Sequence, residues 1–520
     1  MILSRAVHPP RADPSAFALL LLVVIVNFGL QPLTEPDFGW HLRTGLDALR
    51  HGLSLPLADP YSHTMPDWPW VEHAWLTDVV IAWIYSRCGA LGVILLFAGV
   101  TVAAWLLGAA VASASVTFRW LACAVSLWVA LPYLGARTQL VTLLGLALLA
   151  VILKRWQEGG LSLHWWIPPL FLLWANLHGG FLAGLLLLTL VIAMTTLLRW
   201  MSERRIACGG EPYDVPLLSR QDVRRLAVVT GISAAVTLIN PYGWRLYGEI
   251  VDSLSYSYML ETLQEWQPLS LATRAGRSYA LYLGGLGLAM ALWYRRIEPV
   301  QWVVAGVFLA FSFRHMRNIP FFLIVSLPLC AEVMSDAYER LRRGVHWPDS
   351  AVHRGTFAMA VLLAAFLVWL GPEHLHRIAL SGTTPAQYFK DTSYPIEAVE
   401  WILANGDQAG QRLYNDYAYG GFLLWWLPET KVFIDGRMPA WRSGQRAILR
   451  DYIALTGANP DFSILAKYSV DWALVKRQTP LEEGLARDGA WNRIYADDKA
   501  AIYRLNTTMP AFSGGWRPPA

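Results

Sequence analysis

Long apolar runs separated by short polar connections occupy most of the chain. They cover residues 16–33, 90–112, 120–135, 138–153, 165–177, 179–198, 226–239, 278–294, 300–313, 319–334 and 356–371. Read as transmembrane helices, they predict about eleven spans. The first run follows Arg5 and Arg11 as a signal peptide's apolar region would. It is long, however, and the QPLTEPDF that ends it offers no small-x-small cleavage site, so an uncleaved span is expected. One more apolar piece, residues 74–86, is short and carries Asp78. It reads as a half-helix within the first loop, because a full crossing would invert every later basic cluster.

Those clusters set the expected sidedness. Arg119, Lys154 and Arg155, Arg199, Arg204 and Arg205, Arg220, Arg224 and Arg225, Arg295 and Arg296, and Arg340, Arg342 and Arg343 fall at alternate ends of the runs. They predict a cytoplasmic N-terminus, with Arg87 the one basic residue out of place. The opening loop (34–89), the ends ARTQ, NLHGGF, NPYGWR and FRHMRN, and everything after residue 371 then share the outer face. Polar, Gly- or Pro-bearing ends at membrane depth are tolerated where they line a cavity, so one shared cavity is expected there.

Composition agrees with this class: 55% of residues are hydrophobic, 15% charged, and the mean hydropathy is +0.36. The 26 tryptophans and 21 tyrosines suit two interfacial belts. A net charge of +4 with no basic tract on a soluble element argues against a nucleic-acid partner. Cys88, Cys123, Cys208 and Cys330 are scattered and form neither a zinc spacing nor a disulfide framework. Residues 372–505 read as a soluble α/β domain. Helices are expected at 396–403 and 422–427, and strands at 413–414, 431–434, 472–475 and 502–505. Residues 506–520, rich in Pro and Gly, are expected to be disordered.

Chemistry concentrates in the opening loop, where Glu35, Asp37, Asp59, Asp67, Glu72 and Asp78 stand with His41, His51, His63 and His73 among tryptophans and prolines. Asp37-Phe38-Gly39-Trp40-His41-Leu42-Arg43 resembles the first-loop acidic motif of GT-C membrane glycosyltransferases. It is nearest to the D-x-x-x-H-x-R form in the catalytic subunit of oligosaccharyltransferase. Residues 56–69, with Asp59-Pro60, resemble the continuation of that family's first loop. Glu261-Thr262-Leu263-Gln264-Glu265-Trp266-Gln267-Pro268 resembles its late external loop, where a functional Glu is followed by Gln-Pro. Asn415–Gly421 resembles the Trp-Trp-Asp-Tyr-Gly segment opening its soluble domain. Two departures stand out. The second external loop reads Arg137-Thr138-Gln139 where the family carries an acidic pair, and the double tryptophan before Asp416 is missing.

The resemblance implies a polytopic GT-C-like membrane domain (1–371) with an extracytoplasmic α/β domain (372–505). It also implies sugar transfer with inversion from a polyprenyl-phosphate-linked donor. Under that implication Asp37 takes or orients the acceptor's proton, and Glu265 is a second carboxylate holding acceptor or metal. His41 and Arg43 support Asp37 locally. Arg137, Arg314, His315 and Arg317 clamp the phosphate, and Asp416 and Tyr417 are acceptor-side candidates. A divalent cation, Mn or Mg, would sit on Asp37 and Glu265. Without second-loop carboxylates, the arginines can replace it.

Plainer roles stand beside these. Asp37 can cap a helix over residues 38–50. Glu72 and His73 can be interfacial residues, or oxygen and nitrogen donors suited to Mn or Zn, and with Asp78 they read more as anchors of the half-helix. Asn176 and His178 can bond between helices, Asn240-Pro241-Tyr242-Gly243 can be a turn, and Asp416–Gly421 a turn and helix start. Two other functions compete. One is a transporter or flippase of lipid-linked sugars, which predicts repeated halves that the chain does not show. The other is a catalytically silent GT-C-like assembly subunit, kept open by the missing acidic pair. The bilayer is a partner in every reading, and a bacterial cytoplasmic membrane is the expected location. If arginines replace the metal, sugar transfer by purified protein survives EDTA; strict Mn²⁺ or Mg²⁺ dependence would oppose that.

Overall fold

The computed structural model describes residues 16–159, 162–204, 218–293, 299–344, 365, 388–389, 392–408 and 410–506. The expected run 356–371, residue 365 apart, and the tail beyond residue 506 lie outside the described residues. In chain order the first helices are α1 (Ala16–Gly29), α2 (Phe38–Arg50), α3 (Trp75–Ala110), α4 (Val116–Ala130), α5 (Leu140–Gln157), α6 (Ile167–Leu177) and α7 (Phe181–Glu203). They are followed by α8 (Arg220–Val236), α9 (Arg245–Ser255), α10 (Ser257–Thr262), α11 (Arg274–Trp293), α12 (Pro299–Arg314) and α13 (Ile319–Gly344). Among the described residues, five helices are long and apolar enough to cross a membrane: Trp75–Ala110, Val116–Tyr133, Leu140–Gln157, Phe181–Glu203 and Met316–Arg342. The helices at Phe17–Gly29 and Pro299–Arg314 are apolar but shorter. α6 has 11 residues, bounded by prolines at its start and the extended His178 at its end. At about 1.5 Å per residue it falls well short of a ~30 Å hydrocarbon core.

α3 runs for 36 residues through Gly89, whose φ of 61° and ψ of −158° leave the helical region. A side chain there would be strained, so glycine is what permits the break. Residues 75–88 form the half-helix expected for the first loop, and residues 90–110 the long helix after it. Trp75 Nε1 donates to Asn176 Oδ1 at 3.1 Å and Thr77 Oγ1 to the Leu177 carbonyl at 2.6 Å. These bonds fasten the half-helix to the end of α6. Gln139 Nε2 donates to the Arg317 carbonyl at 3.0 Å, and Arg137 Nε reaches Glu35 Oε2 at 2.5 Å. The opening loop thus meets the starts of α5 and α13 at one end of the helices. Lys154, Arg155 and Arg199 lie toward the other ends of α5 and α7.

The C-terminal domain is built on a four-stranded sheet in the order β1 (Leu413–Asn415), β4 (Trp472–Lys476), β6 (Ala500–Leu505), β5 (Trp491–Ala496). A small hairpin of β2 (Arg442–Ser443) and β3 (Arg446–Ala447) stands apart. β1 and β4 are parallel, with Tyr414 opposite Ala473; β4–β6 and β6–β5 are antiparallel. Leu413, Tyr414, Trp472–Val475 and Ala500–Tyr503 are buried in its core. Three of the expected strands are present. β5, with Asn492 and Arg493 side by side and exposed and a register shift between Arg493 and Tyr495, carries no apolar alternation by which to read it.

The fourth expected strand, 431–434, is not in the sheet. Its ladder partner is the opening loop: Val432 makes one parallel bridge with Ser62. Val432 N donates to the Tyr61 carbonyl and His63 N to the Val432 carbonyl. On its other side the Asn415 side chain satisfies the backbone, accepting from Phe433 N and donating to the Ile434 carbonyl, both at 2.8 Å.

Beside this bridge is a buried ionic knot. Arg437 places Nη1 2.7 Å from Asp59 Oδ1, Nη2 2.6 Å from Asp435 Oδ2 and Nε 2.9 Å from Asp435 Oδ1. Its side chain is 2% exposed and both aspartates 0%. Its guanidinium carbon stands 5.0, 5.1 and 5.4 Å from the ring centres of Tyr61, Trp70 and Trp441. Burial works to raise Asp59, but Arg437 and the backbone donors of Tyr61 and Ser62 hold it below the usual carboxylate range. Removing one partner from such a group typically costs about 3–5 kcal/mol because a buried charge is left alone. Arg437→Ala is therefore expected to lower the thermal midpoint sharply and expose the C-terminal domain to limited proteolysis. Wild-type resistance in that variant would show that the knot does not hold the domain.

Candidate active site

α2 is the expected helix to the residue, and Asp37 stands at its N-cap position. The side chain nevertheless makes no capping bond. Oδ1 accepts the indole N–H of Trp40 at 3.1 Å, which leaves the other oxygen free. Asp37 keeps an accessible edge while protein surrounds it. Burial first, then the neighbouring Glu35 and, more weakly, Glu265 push its carboxyl up to about 6.

Glycines let the C-terminal domain close on this carboxylate. A Cβ at Gly39 would collide with the Gly421 carbonyl, one at Gly421 with the Pro36 carbonyl, and one at Gly436 with Asp37 Oδ1. The turn Asp435-Gly436-Arg437 therefore does more than end a strand: its glycine forms the wall against which Asp37 sits.

Arginines arrive from two other loops. Arg137 is in the field of Asp37 and Glu265 as well as paired with Glu35. Arg317 Nη1 lies 3.1 Å from Glu265 Oε1, and its guanidinium stacks 4.1 Å from the Trp266 ring centre. His315 Nδ1 meets the Trp266 carbonyl at 2.5 Å and Met316 N donates to the Gln267 carbonyl, so FRHMRN and LQEWQ are zipped together. Tyr417 feels Asp37, Glu265, Asp435 and Arg317, which places its phenol toward the centre, and burial holds its pKa well above the usual value. His73 and His178 lie with ring centres 5.5 Å apart. Burial, with His41 and Arg317, lowers His73 to about 3, and Gly180 N–H donates to His178 Nδ1. Arg137 and Arg317, rather than these imidazoles, supply the positive charge.

Of the residues singled out from sequence, Asp37, Glu265, Arg137, Arg317 and Tyr417 share this electrostatic neighbourhood, and His315 braces it. Arg43 does not turn toward Asp37; its Nε binds Asp47 Oδ2 at 2.8 Å within α2. Arg314 is exposed at the end of α12. Asp416 caps the turn 417–419, accepting from Ala418 N, and also accepts the Tyr452 hydroxyl. His41 points away to Asp78, at 2.6 Å. Asn176 bonds between helices as expected, donating to the Leu172 and Ile239 carbonyls, and Asn240 caps its own turn through Tyr242 N. Glu35, counted among the loop's carboxylates, and Gly436 were given no role in the site. Glu35 had a signal in its place one proline before Asp37; Gly436 had none, since its role depends on a neighbour 399 positions away in the chain.

No family model and no curated protein matches the chain. Among solved structures it is similar to the oligosaccharyltransferase of Archaeoglobus fulgidus in the apo form. The TM-score is 0.54 at 12% identity, over 88% of this chain and 69% of that one. ArnT from Cupriavidus metallidurans aligns over 95% of this chain and 98% of its own when bound to undecaprenyl phosphate (14% identity, TM-score 0.41). Its apo state aligns over 94% and 96% (15% identity, TM-score 0.46). The fold is that of a GT-C-like membrane protein, as the opening-loop resemblance implies.

Gly436→Ala is expected to cost about 1–3 kcal/mol, the usual range for overpacking, read as a lower thermal midpoint. Gly489→Ala, where nothing lies within 4 Å of the new atom, serves as the control. Equal midpoints for the two would place Asp37 away from the turn.

Proposed function

We propose that the chain is an integral-membrane glycosyltransferase that moves a sugar or glycan from a polyprenyl-phosphate-linked donor to an acceptor at the outer membrane face. The observation that carries this reading is a carboxylate free of capping, Asp37, with Arg137 in its field and, beside the neighbouring Glu265, Arg317 from a separate loop. In the proposed step the acceptor's nucleophilic atom bonds to the anomeric carbon, the bond from that carbon to the phosphate oxygen breaks, and Asp37 takes the acceptor's proton. A carboxyl near 6 is ionised at neutral pH yet basic enough for that task. Arg137 and Arg317 receive the charge gathering on the departing lipid phosphate, exchanging Glu35 and Glu265 for phosphate oxygens. Tyr417, on the C-terminal domain, faces the acceptor side; Asp416 is spent on capping.

The arginines serve where a cation would. Asp37 is engaged by Trp40 and Glu265 by Arg317, and among the described residues neither belongs to a group of three ligand atoms close enough to share an ion. The outer-face assignment rests on the basic helix ends.

Asp37→Asn is expected to lower sugar transfer in membranes by roughly 100-fold or more, within the range for losing a positioned acid–base group. Full activity in that variant would remove Asp37 from the chemistry. No transfer by the wild type from any lipid-linked donor tried would favour the silent-subunit or carrier readings. Below pH 6 Asp37 binds a proton and can no longer accept one, so kcat/KM is expected to fall about tenfold per pH unit there. Glu35→Gln removes a negative neighbour and frees Arg137, so the limb moves to lower pH; an unmoved limb would assign it to another group.

A further inference from the structure

One turn along α2 from Asp37, three ligand-bearing side chains close on one another, and the proposed transfer assigns them no step. They are His41 from α2, Glu72 from the loop before α3, and Asp78 from the first turn of α3. They are 4%, 1% and 0% exposed. One nitrogen or oxygen from each lies within 4.8 Å of the other two. His41 Nδ1 is 2.6 Å from Asp78 Oδ1, and Glu72 Oε1 accepts the Ala74 N–H at 3.0 Å. Asp78 Oδ2 is buried with no partner.

Charge decides how this cluster can be read. Among the described residues no lysine or arginine pairs with Glu72 or Asp78. Two ionised carboxylates at this spacing and burial repel strongly, and an unpartnered buried oxygen costs about 1–3 kcal/mol or more. A single dication cancels both charges and occupies the orphaned oxygen. One imidazole with two carboxylates is a borderline donor set, suited to Zn²⁺ or Mn²⁺ rather than to Mg²⁺ or Ca²⁺. Tetrahedral coordination at about 2.0–2.2 Å sets ligand atoms roughly 3.3 Å apart. The His41–Asp78 contact then opens by about 0.7 Å, and the proton it shares leaves to solvent.

The geometry points to a divalent transition-metal site, for Mn²⁺ or Zn²⁺, held by His41, Glu72 and Asp78. It clamps α2 to α3 and so fixes the helix that presents Asp37. The backbones already meet closely there, since a Cβ at Gly45 would collide with the Asp78 carbonyl. The cation touches no reacting atom. His41, Glu72 and Asp78 are positioning residues for Asp37, and the site stands or falls independently of the transfer reaction.

The test uses the full chain in detergent or nanodiscs, stripped by prolonged EDTA treatment, desalted, and reloaded with MnCl₂ or ZnCl₂ alone. The expected result is about one metal ion per chain, a raised thermal midpoint, and nitrogen coupling from one imidazole in the pulsed EPR spectrum of the Mn²⁺ form. Glu72→Gln and Asp78→Asn, which keep the side-chain shape, are expected to weaken binding at least tenfold, and His41→Gln to remove the nitrogen coupling. Asp37→Asn is expected to keep stoichiometry and coupling. Wild type that retains no more metal than Asp78→Asn would overturn the site. So would bound Mn²⁺ without nitrogen coupling, or binding lost in Asp37→Asn but kept in Glu72→Gln. A metal-free Glu72→Gln chain more stable than wild type, with no stabilisation of wild type by either ion, would assign the cluster to proton sharing instead. Should His41→Gln fail to fold, Glu72→Gln carries the test. EDTA-sensitive sugar transfer restored by Mn²⁺ equally in wild type and Glu72→Gln would place a catalytic cation at Asp37 and Glu265, refuting the metal-free transfer reading without touching this one.

Discussion

Arg437, locked between Asp435 and Asp59 within a ring of aromatic side chains, is the interaction on which the rest of the structure depends. It joins the opening loop to the C-terminal domain through charges that neither part could bury alone. Two carboxylates taken out of water need a cation with several donors, and a guanidinium supplies them in a fixed fork. Asp435 is filled from two nitrogens while the third reaches Asp59, so domain and loop have one relative position. The Ser62–Val432 bridge and the Thr64 hydroxyl's bond to the Phe433 carbonyl follow from it.

That position explains why the candidate site lies where it does. With Arg437 fixed, the preceding Gly436 is carried against Asp37, and the glycine contacts at 39 and 421 allow α2 and the helix Gly420–Trp426 to meet backbone to backbone. Asp37 is raised by burial, to which the domain contributes through Gly436, and by the like charge of Glu35 in its own loop. A second brace joins Arg442 to Asp252 of α9, at 2.5 Å, and Tyr256, Tyr258 and Trp266 pack near Met259 and Leu449. The loop carrying Glu265 is thereby held beside the same domain.

The charge pattern inside the site is one of arrested pairs. Glu35 holds Arg137 and Glu265 holds Arg317. The Arg317–Glu265 pair is partly exposed and contributes little to stability, whereas Glu35 is largely enclosed. In the proposed transfer, such pairs would keep two guanidiniums oriented, and a phosphate entering between them would trade one anion for another.

The sequence by itself determined the membrane class, the half-helix ahead of the long run, the extent of α2, three strands of the small domain, and the grouping of polar helix ends; the break at Gly89 came from the structure. The former follow from local physics: hydrocarbon length and periodicity of apolar positions. Tertiary structure alone decided the rest. The segment 431–434 reads as a strand and is one by propensity, but its partner is Ser62, far away in the chain, so it left the sheet. β5, whose Asn492 and Arg493 stand side by side, had no apolar alternation to show. Asp37 reads as a cap, a catalytic carboxylate or both; that its side chain makes no capping bond and instead accepts from Trp40 is visible only in the structure. Arg43 and Arg317 are alike as letters, and only their neighbours, Asp47 within the same helix and Glu265 from another loop, send one to the helix surface and the other to the site. Motif spacing reports which groups are available, whereas burial and long-range pairing decide which of them are left free to act.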